Sequence, residues 1–215
     1  MKIKNIAKLF AVVLLFLVSS CVKEDLKLPH GRIESGKIWE HGYVDLGLSV
    51  RWATCNIGAD KPEEYGDYFA WGEVNNKSTY TISNSKTYRK NPNYDISGNG
   101  TYDAATAKWG SVWRLPTLAE MEELINNCTW TWTKVNGVYG RVGVGPNGNS
   151  IFFPATGYRE GSAAHYREEY GYYWTSTPVY NDNSYSNIMF FDAGRNYTDW
   201  FFRYRGIPIR PVSNY

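Results

Sequence analysis

Histidine is scarce in this chain, and the three present, His30, His41 and His165, are too far apart to share a helix face or a zinc-ligand spacing. A nucleophile elbow, a P-loop and an HExxH sequence are all missing, so the chemistries those motifs carry have no local signature here. No apolar run approaches the roughly 20 residues that a membrane-spanning helix needs. Charge of one sign is lacking too: the scattered Lys and Arg residues form no basic stripe, which argues against a nucleic-acid partner.

What is present begins with an export signal. "MKIKNIAK" is a basic n-region, "LFAVVLLFLV" an apolar h-region of ten residues, and small residues precede Cys21. Val18-Ser19-Ser20-Cys21 resembles a bacterial lipobox, which implies cleavage after residue 20 and a lipid anchor on Cys21. Lys23-Glu24-Asp25 resembles the short export signal of surface-exposed lipoproteins in Gram-negative gut anaerobes. The expected location is therefore the outer membrane, lipid-anchored and facing outward. Losing residues 1–20 removes Lys2, Lys4 and Lys8, so 23 basic residues become about 20 against 21 acids, and no polyanion partner is implied.

With Cys21 taken by lipid, Cys55 and Cys128 remain as an even pair in a disulfide-permissive compartment. A bridge between them would close a loop of about 74 residues, worth roughly 4 kcal/mol on the chain-entropy model. Two separate buried thiols are the alternative. Residues 21–37, polar and aperiodic with Pro and Gly, read as a tether, and residues 38–215 as one domain.

Inside that domain, Gly, Asn, Asp and Pro recur between short apolar runs, the pattern of many short strands. "RLPTLAEMEELINN" differs. Thr117 and Glu120 form a capping box, and Leu118, Met121, Leu124 and Ile125 repeat at helical spacing, which predicts a helix over 118–126. A weaker helical turn is expected near "KPEEYG", with Pro62 in its first turn. The fold class expected is α+β, mainly β, with one or two short helices.

Two motifs match by spelling only. "GVGPNG" satisfies GxGxxG, but its Asn147-Gly148 leads into the strand-like "NSIFFP", so it reads as a hairpin turn. "DISGNG", from Asp95, copies the start of an EF-hand loop, yet Thr106 stands where the bidentate Glu belongs. No cofactor or metal is expected, with weak calcium binding left open. The acid pairs Glu63-Glu64 and Glu168-Glu169 read as solvated carboxylates; no catalytic residue is assigned, and the chain is not expected to be an enzyme.

"YVDLGLSVRWATCNIGADKPEEYGDYFAWGE", "DAATAKWGSVWRLPTLAEMEELI", "CTWTW", "GPNGNSIFFPATGYR", "YYWTST" and "RGIPIRPV" together resemble the Fibrobacter succinogenes major paralogous domain, over about residues 43–212. That family is similar to the C-type-lectin-like superfamily, which implies a small mixed sheet core, an adjacent helix and a long loop region that carries ligand in lectin relatives. The superfamily's formylglycine-generating branch uses a C-terminal cysteine pair, and this chain has no Cys after Cys128. The Glu-Pro-Asn and Gln-Pro-Asp tripeptides of calcium lectins are missing as well.

Two functions follow as expectations. One is a surface binding module for an external glycan or protein; the other is a structural or assembly lipoprotein of the cell envelope. Alternation along "YYWTST" sends Tyr172 and Trp174 to one face and Tyr173 to the other, which suits an interior strand with Trp174 in the core. The ligand surface is then expected in the polar flanks, with Tyr166, Tyr170, Tyr180 and Tyr185 offering rings and Asn181 and Asp182 offering hydrogen bonds.

Overall fold

The computed structural model describes residues 35–215, so the lipobox, Cys21 and most of the tether lie outside the described residues. Ser35, Gly36 and Lys37, expected in the tether, instead start the fold as part of β1 (Ser35–Ile38), which pairs with β2 (His41–Val44). Next comes β3 (Arg51–Ala53), which joins β2 on one side and β12 (Val212–Ser213) on the other. The start and end of the described chain thus share one four-stranded sheet.

Between those ends lie α1 (Ala104–Trp109), α2 (Leu118–Asn127) and two three-stranded sheets. The first sheet is β4 (Thr129–Val135), β5 (Val138–Val144) and β6 (Ser150–Pro154). A short pair, β7 (Tyr158–Glu160) and β8 (Ala163–His165), leads to the second sheet: β9 (Gly171–Pro178), β10 (Tyr185–Phe191) and β11 (Asn196–Phe202). All ladders among the described residues are antiparallel, so several small antiparallel sheets stand where one mixed sheet was implied. The class is α+β, mainly β.

Local sequence explains most of these elements. Thr117 caps α2 by accepting from the Glu120 N–H, while the Glu120 carboxylate accepts in return from the Thr117 N–H. Asn136-Gly137 turns β4 into β5 with positive φ at both positions, as a two-residue hairpin requires. Asn147-Gly148 lies in the β5–β6 connection, with Gly148 at φ +85°, so the glycine motif is a hairpin turn. "KPEEYG" forms a turn rather than a helix: the Glu64 N–H donates to the Lys61 carbonyl, and the Glu64 carboxylate accepts from the N–H groups of Asp60 and Lys61. The second helix is α1 instead, capped by Asp103.

The sheet of β9 to β11 divides the core. Tyr173, Met189 and Phe191 face α2, Trp52 and Phe153; Tyr172, Trp174 and Ile188 face Phe69, Trp71 and Ile207 on the other side. Trp174 is fully buried, as the alternation predicts. Fifty residues without strand or helix, 54–103, wrap the second face. They are held by indole N–H bonds in both directions: Trp71 donates to the Thr175 carbonyl and Trp174 to the Phe69 carbonyl. Backbone pairing of Phe69 with Ile207 adds to this.

The expected disulfide does not form: Cys55 and Cys128 are both free. Cys128 caps the C-terminus of α2 and packs into the first core cluster. Cys55 follows β3 and lines a separate small cavity with His41 and Trp109. Different elements hold the two thiols in different surroundings, which removes the contact a bridge needs.

Candidate functional site

The two faces of the β4–β5 hairpin are unlike. Its register sets Trp132 opposite Arg141 and Lys134 opposite Tyr139, which places Trp132 and Tyr139 diagonally on one face. Their rings lie offset and nearly parallel, with centroids 5.8 Å apart and an interplanar angle of 11°. Trp132 also meets Phe191 edge-on, which anchors this wall to the core.

Arg141 brings a second component into place. It is buried, and its Nε donates to the Asp192 carbonyl at 2.8 Å while Nη1 donates to Asn196 Oδ1 at 3.3 Å. The turn between β10 and β11 is thereby held against the β4–β5 wall. Asp192 organises that turn: its carboxylate accepts from the N–H groups of Gly194 and Arg195 and from Arg195 Nε. Burial pushes the Asp192 carboxyl up, but these donors outweigh it and hold it below its ordinary value.

The third component is the turn before β9. Tyr170 N–H donates to the Tyr166 carbonyl, and Glu168 N–H donates to the Ala155 carbonyl. Tyr166 and Glu168 take left-handed backbone at φ 55° and 65°, an uncommon conformation for residues with side chains. Gly157 is required beneath them, since a Cβ there would lie 1.9 Å from the His165 carbonyl. Tyr170 rests on Phe190 and Tyr166.

Together these pieces enclose an open groove of about 440 Å³, lined by Trp132, Tyr139, Glu168, Glu169, Tyr170, Asp192 and Ala193. Asp192 is ion-paired to Arg195, whereas Glu168 and Glu169 form no ion pair among the described residues. Carboxylates that only accept hydrogen bonds, beside flat aromatic faces, can hold a ligand that presents apolar faces together with O–H or N–H donors.

Two other cavities have less to offer. One, of about 440 Å³ beside Tyr80 and Ile82, has its acid Glu160 engaged by Tyr204 and Arg205. The other, of about 270 Å³, contains Cys55 and is flanked by the His41–Trp109 stack. Burial lowers the His41 imidazole, opposed by Glu40. Among the described residues no cluster of three His, Cys, Asp or Glu side chains is placed to hold a metal ion. In the EF-hand-like stretch, Asp95 accepts from the Ser97 N–H and the Thr177 hydroxyl. No helix among the described residues is long and apolar enough to cross a membrane.

The sequence-predicted ligand residues fall into two groups at opposite ends of β9. Tyr170 lines the groove and the exposed Tyr166 packs beside it. Tyr180, Asn181 and Asp182 sit in the β9–β10 turn, about 25 Å away by the rise of an eight-residue strand. There the Asp182 carboxylate accepts from the Ser184 N–H, which lowers its pKa and gives it a turn-forming role. Tyr185 is half-buried between Trp200 and Phe202. The structure does not bring these six residues into one surface.

Trp132, Tyr139, Glu168, Glu169 and Asp192 were not among the sequence-predicted ligand residues. The alternation of "TWTWTKV" followed by Asn-Gly is enough to pair Trp132 with Tyr139. Nothing local predicts that Arg141 carries the distant Asp192 turn to them. No curated protein and no solved structure matches this chain. A family model described as a domain of unknown function (DUF8237) matches residues 125–212, the segment that supplies every residue lining the groove.

Proposed function

We propose that the protein is a surface-exposed, outer-membrane lipoprotein whose domain binds an external glycan in the groove between the β4–β5 hairpin and the turns flanking β9 and β10. The observation that carries this reading is the pairing of the Trp132–Tyr139 wall with Glu168, Glu169 and Asp192 around one open cavity. A pyranose has apolar C–H faces and a rim of hydroxyl donors. The rings suit the first and the carboxylates the second.

The anchor and location rest on the lipobox and the residues after Cys21. The C-type-lectin-like kinship is supported by the long loop 54–103 and the helix beside the sheets. In this reading, however, the ligand sits on strands and short turns rather than in that loop.

The test is a glycan array probed with the purified mature chain at several calcium concentrations, repeated with Trp132→Ala. Binding of a glycan class that the substitution reduces at least tenfold supports the reading. Binding that Trp132→Ala leaves intact moves the site elsewhere. A second reading, an assembly lipoprotein, is favoured by β11, a sheet-edge strand that carries the exposed Trp200. Crosslinking from position 200 to another envelope protein, with no glycan retained on the array, would favour it.

A further inference from the structure

We infer that the tip of the β1–β2 hairpin docks, through Trp39, into the headgroup region of the bilayer that holds the lipid anchor; this rests on the Cys21 anchor proposed above and not on the groove. The first observation is the backbone under the tryptophan. Ile38 pairs with His41, so Trp39 and Glu40 are the two residues of the turn. Trp39 has φ 57°, the left-handed backbone that two-residue hairpin turns reserve for Gly at their first position. Burial does not offset the strain of an indole there, because Trp39 is 62% exposed. Strain kept at an exposed side chain points to a use for that side chain.

The second observation is what surrounds the ring. Gly110, just after α1, lies so close to the indole that a Cβ there would be 2.2 Å from Trp39 Cζ3. Next to Gly110, the half-buried Trp109 stacks on His41 with centroids 3.7 Å apart. Indole rings, apolar in body with one N–H donor, favour the boundary between membrane and water. Lys37, Glu40 and Asp60 line the adjacent cavity and nearly cancel in charge, so the contact depends on the ring rather than on lipid charge.

The position of the anchor selects the occupant. Ser35, the first residue of β1, follows Cys21 by 14 positions, so the intervening chain reaches at most about 50 Å whatever its path. Trp39 lies one four-residue strand farther on, about 13 Å. The other exposed tryptophan among the described residues, Trp200, is far along the chain in β11. Tethering makes the second contact intramolecular, so one too weak to hold a free domain on the membrane suffices here.

The experiment reconstitutes the acylated mature chain in vesicles of phosphatidylethanolamine and phosphatidylglycerol, with and without brominated acyl chains, and follows tryptophan emission. Bromine quenches indoles that reach the bilayer. With one of the nine tryptophans in contact, roughly a tenth of the emission should be lost, and Trp39→Phe should abolish that loss. Amide exchange at residues 38–41 should slow about three- to tenfold on vesicles relative to the soluble Cys21→Ser chain. Trp39→Gly supplies the residue the turn favours, so its hairpin should persist while that slowing disappears; a purely structural Trp39 would instead open the hairpin in the soluble chain. Both signals should persist at about 0.5 M salt, where exposed charges are screened. Quenching that Trp39→Phe leaves intact, or exchange that anchoring does not slow, would overturn the inference and leave the anchor standing. Signals that vanish at high salt would make charge the driving force and overturn it as well. A mature chain that carries no acyl group would remove the anchor reading and this inference together.

Discussion

Asp103 holds more backbone than any other side chain in the long loop. Its Oδ1 accepts from the N–H groups of Ala105 (2.8 Å) and Thr106 (3.1 Å), capping α1. Its Oδ2 accepts from Gly98 (2.8 Å) and Leu115 (2.9 Å), which ties the end of the loop to the strand-like run before α2. Asp103→Asn separates these roles. Asn caps helices as well as Asp does, through its one oxygen. Its amide nitrogen cannot accept, so the Gly98 and Leu115 N–H groups lose their partner. Leu115 is buried, and its orphaned N–H should cost about 1 to 3 kcal/mol. Gly98 borders open space, where water can replace part of the loss.

The expected total for Asp103→Asn is thus about 2 to 4 kcal/mol, and Asp103→Ala should lose roughly 1 kcal/mol more with the cap. In urea, with a slope of about 2 kcal/mol per molar, the Asn variant should shift the midpoint down by roughly 1 to 2 M. A shift under roughly 0.5 M with unchanged slope would refute the assignment of Oδ2 to both N–H groups. The pH dependence gives a second check. Burial raises the Asp103 pKa against the opposing N–H donors from Leu115, Gly98, Thr106 and Ala105. A native state that binds the proton more readily loses Asp103-derived stability as pH rises from the unfolded value through the raised folded value. The deficit of the Asn variant should therefore be largest in acid and shrink toward neutral pH. A deficit that grows instead would mean that the four donors outweigh burial.

Other consequences can be checked directly. Cys21→Ser should abolish acyl-label incorporation and membrane retention; a variant that still fractionates with membrane would remove the lipobox reading. In the native chain, iodoacetamide should modify the half-buried Cys55 long before Cys128, whose thiol is pushed up to about 12 by burial and by Glu123. Because the folded Cys128 pKa lies above the unfolded one, its contribution to stability is lost as pH rises from about 9 toward that value, and Cys128→Ala should flatten the alkaline limb of the stability profile. Tyr180→Ala, at an exposed ring, should change stability by under about 0.5 kcal/mol, whereas Tyr185→Ala removes two aromatic contacts and should cost about 1 to 3 kcal/mol in a urea melt.

Those two tyrosines mark where the sequence stops being readable. Elements set by local chemistry were legible: the Thr117–Glu120 box, the Asn147-Gly148 turn and the two-faced "YYWTST" strand depend on neighbours within a few residues. The candidate site was legible only in Tyr170 and its neighbour Tyr166, because a strand that separates two polar flanks looks the same on paper as one that brings them together. Its other parts depend on contacts distant in sequence, above all the bond from Arg141 to the Asp192 carbonyl. The same limit applies to "RGIPIRPV". Arg210 is fully buried, with Nε on Asn56 Oδ1, Nη1 on the Ala53 and Thr54 carbonyls and the Phe153 ring 4.6 Å away. Arg203 is equally buried, bonded to the Tyr185 and Pro92 carbonyls beneath Trp71, and burial pulls it down to about 10. Neither arginine has a carboxylate partner among the described residues, so no charge pattern in the sequence points to it. Each serves instead as a hub that donates to carbonyls of separate segments, Ala53 and Thr54 for Arg210 and Tyr185 and Pro92 for Arg203. A fold with a fifty-residue irregular segment needs such hubs, because every buried carbonyl outside a ladder must find another donor.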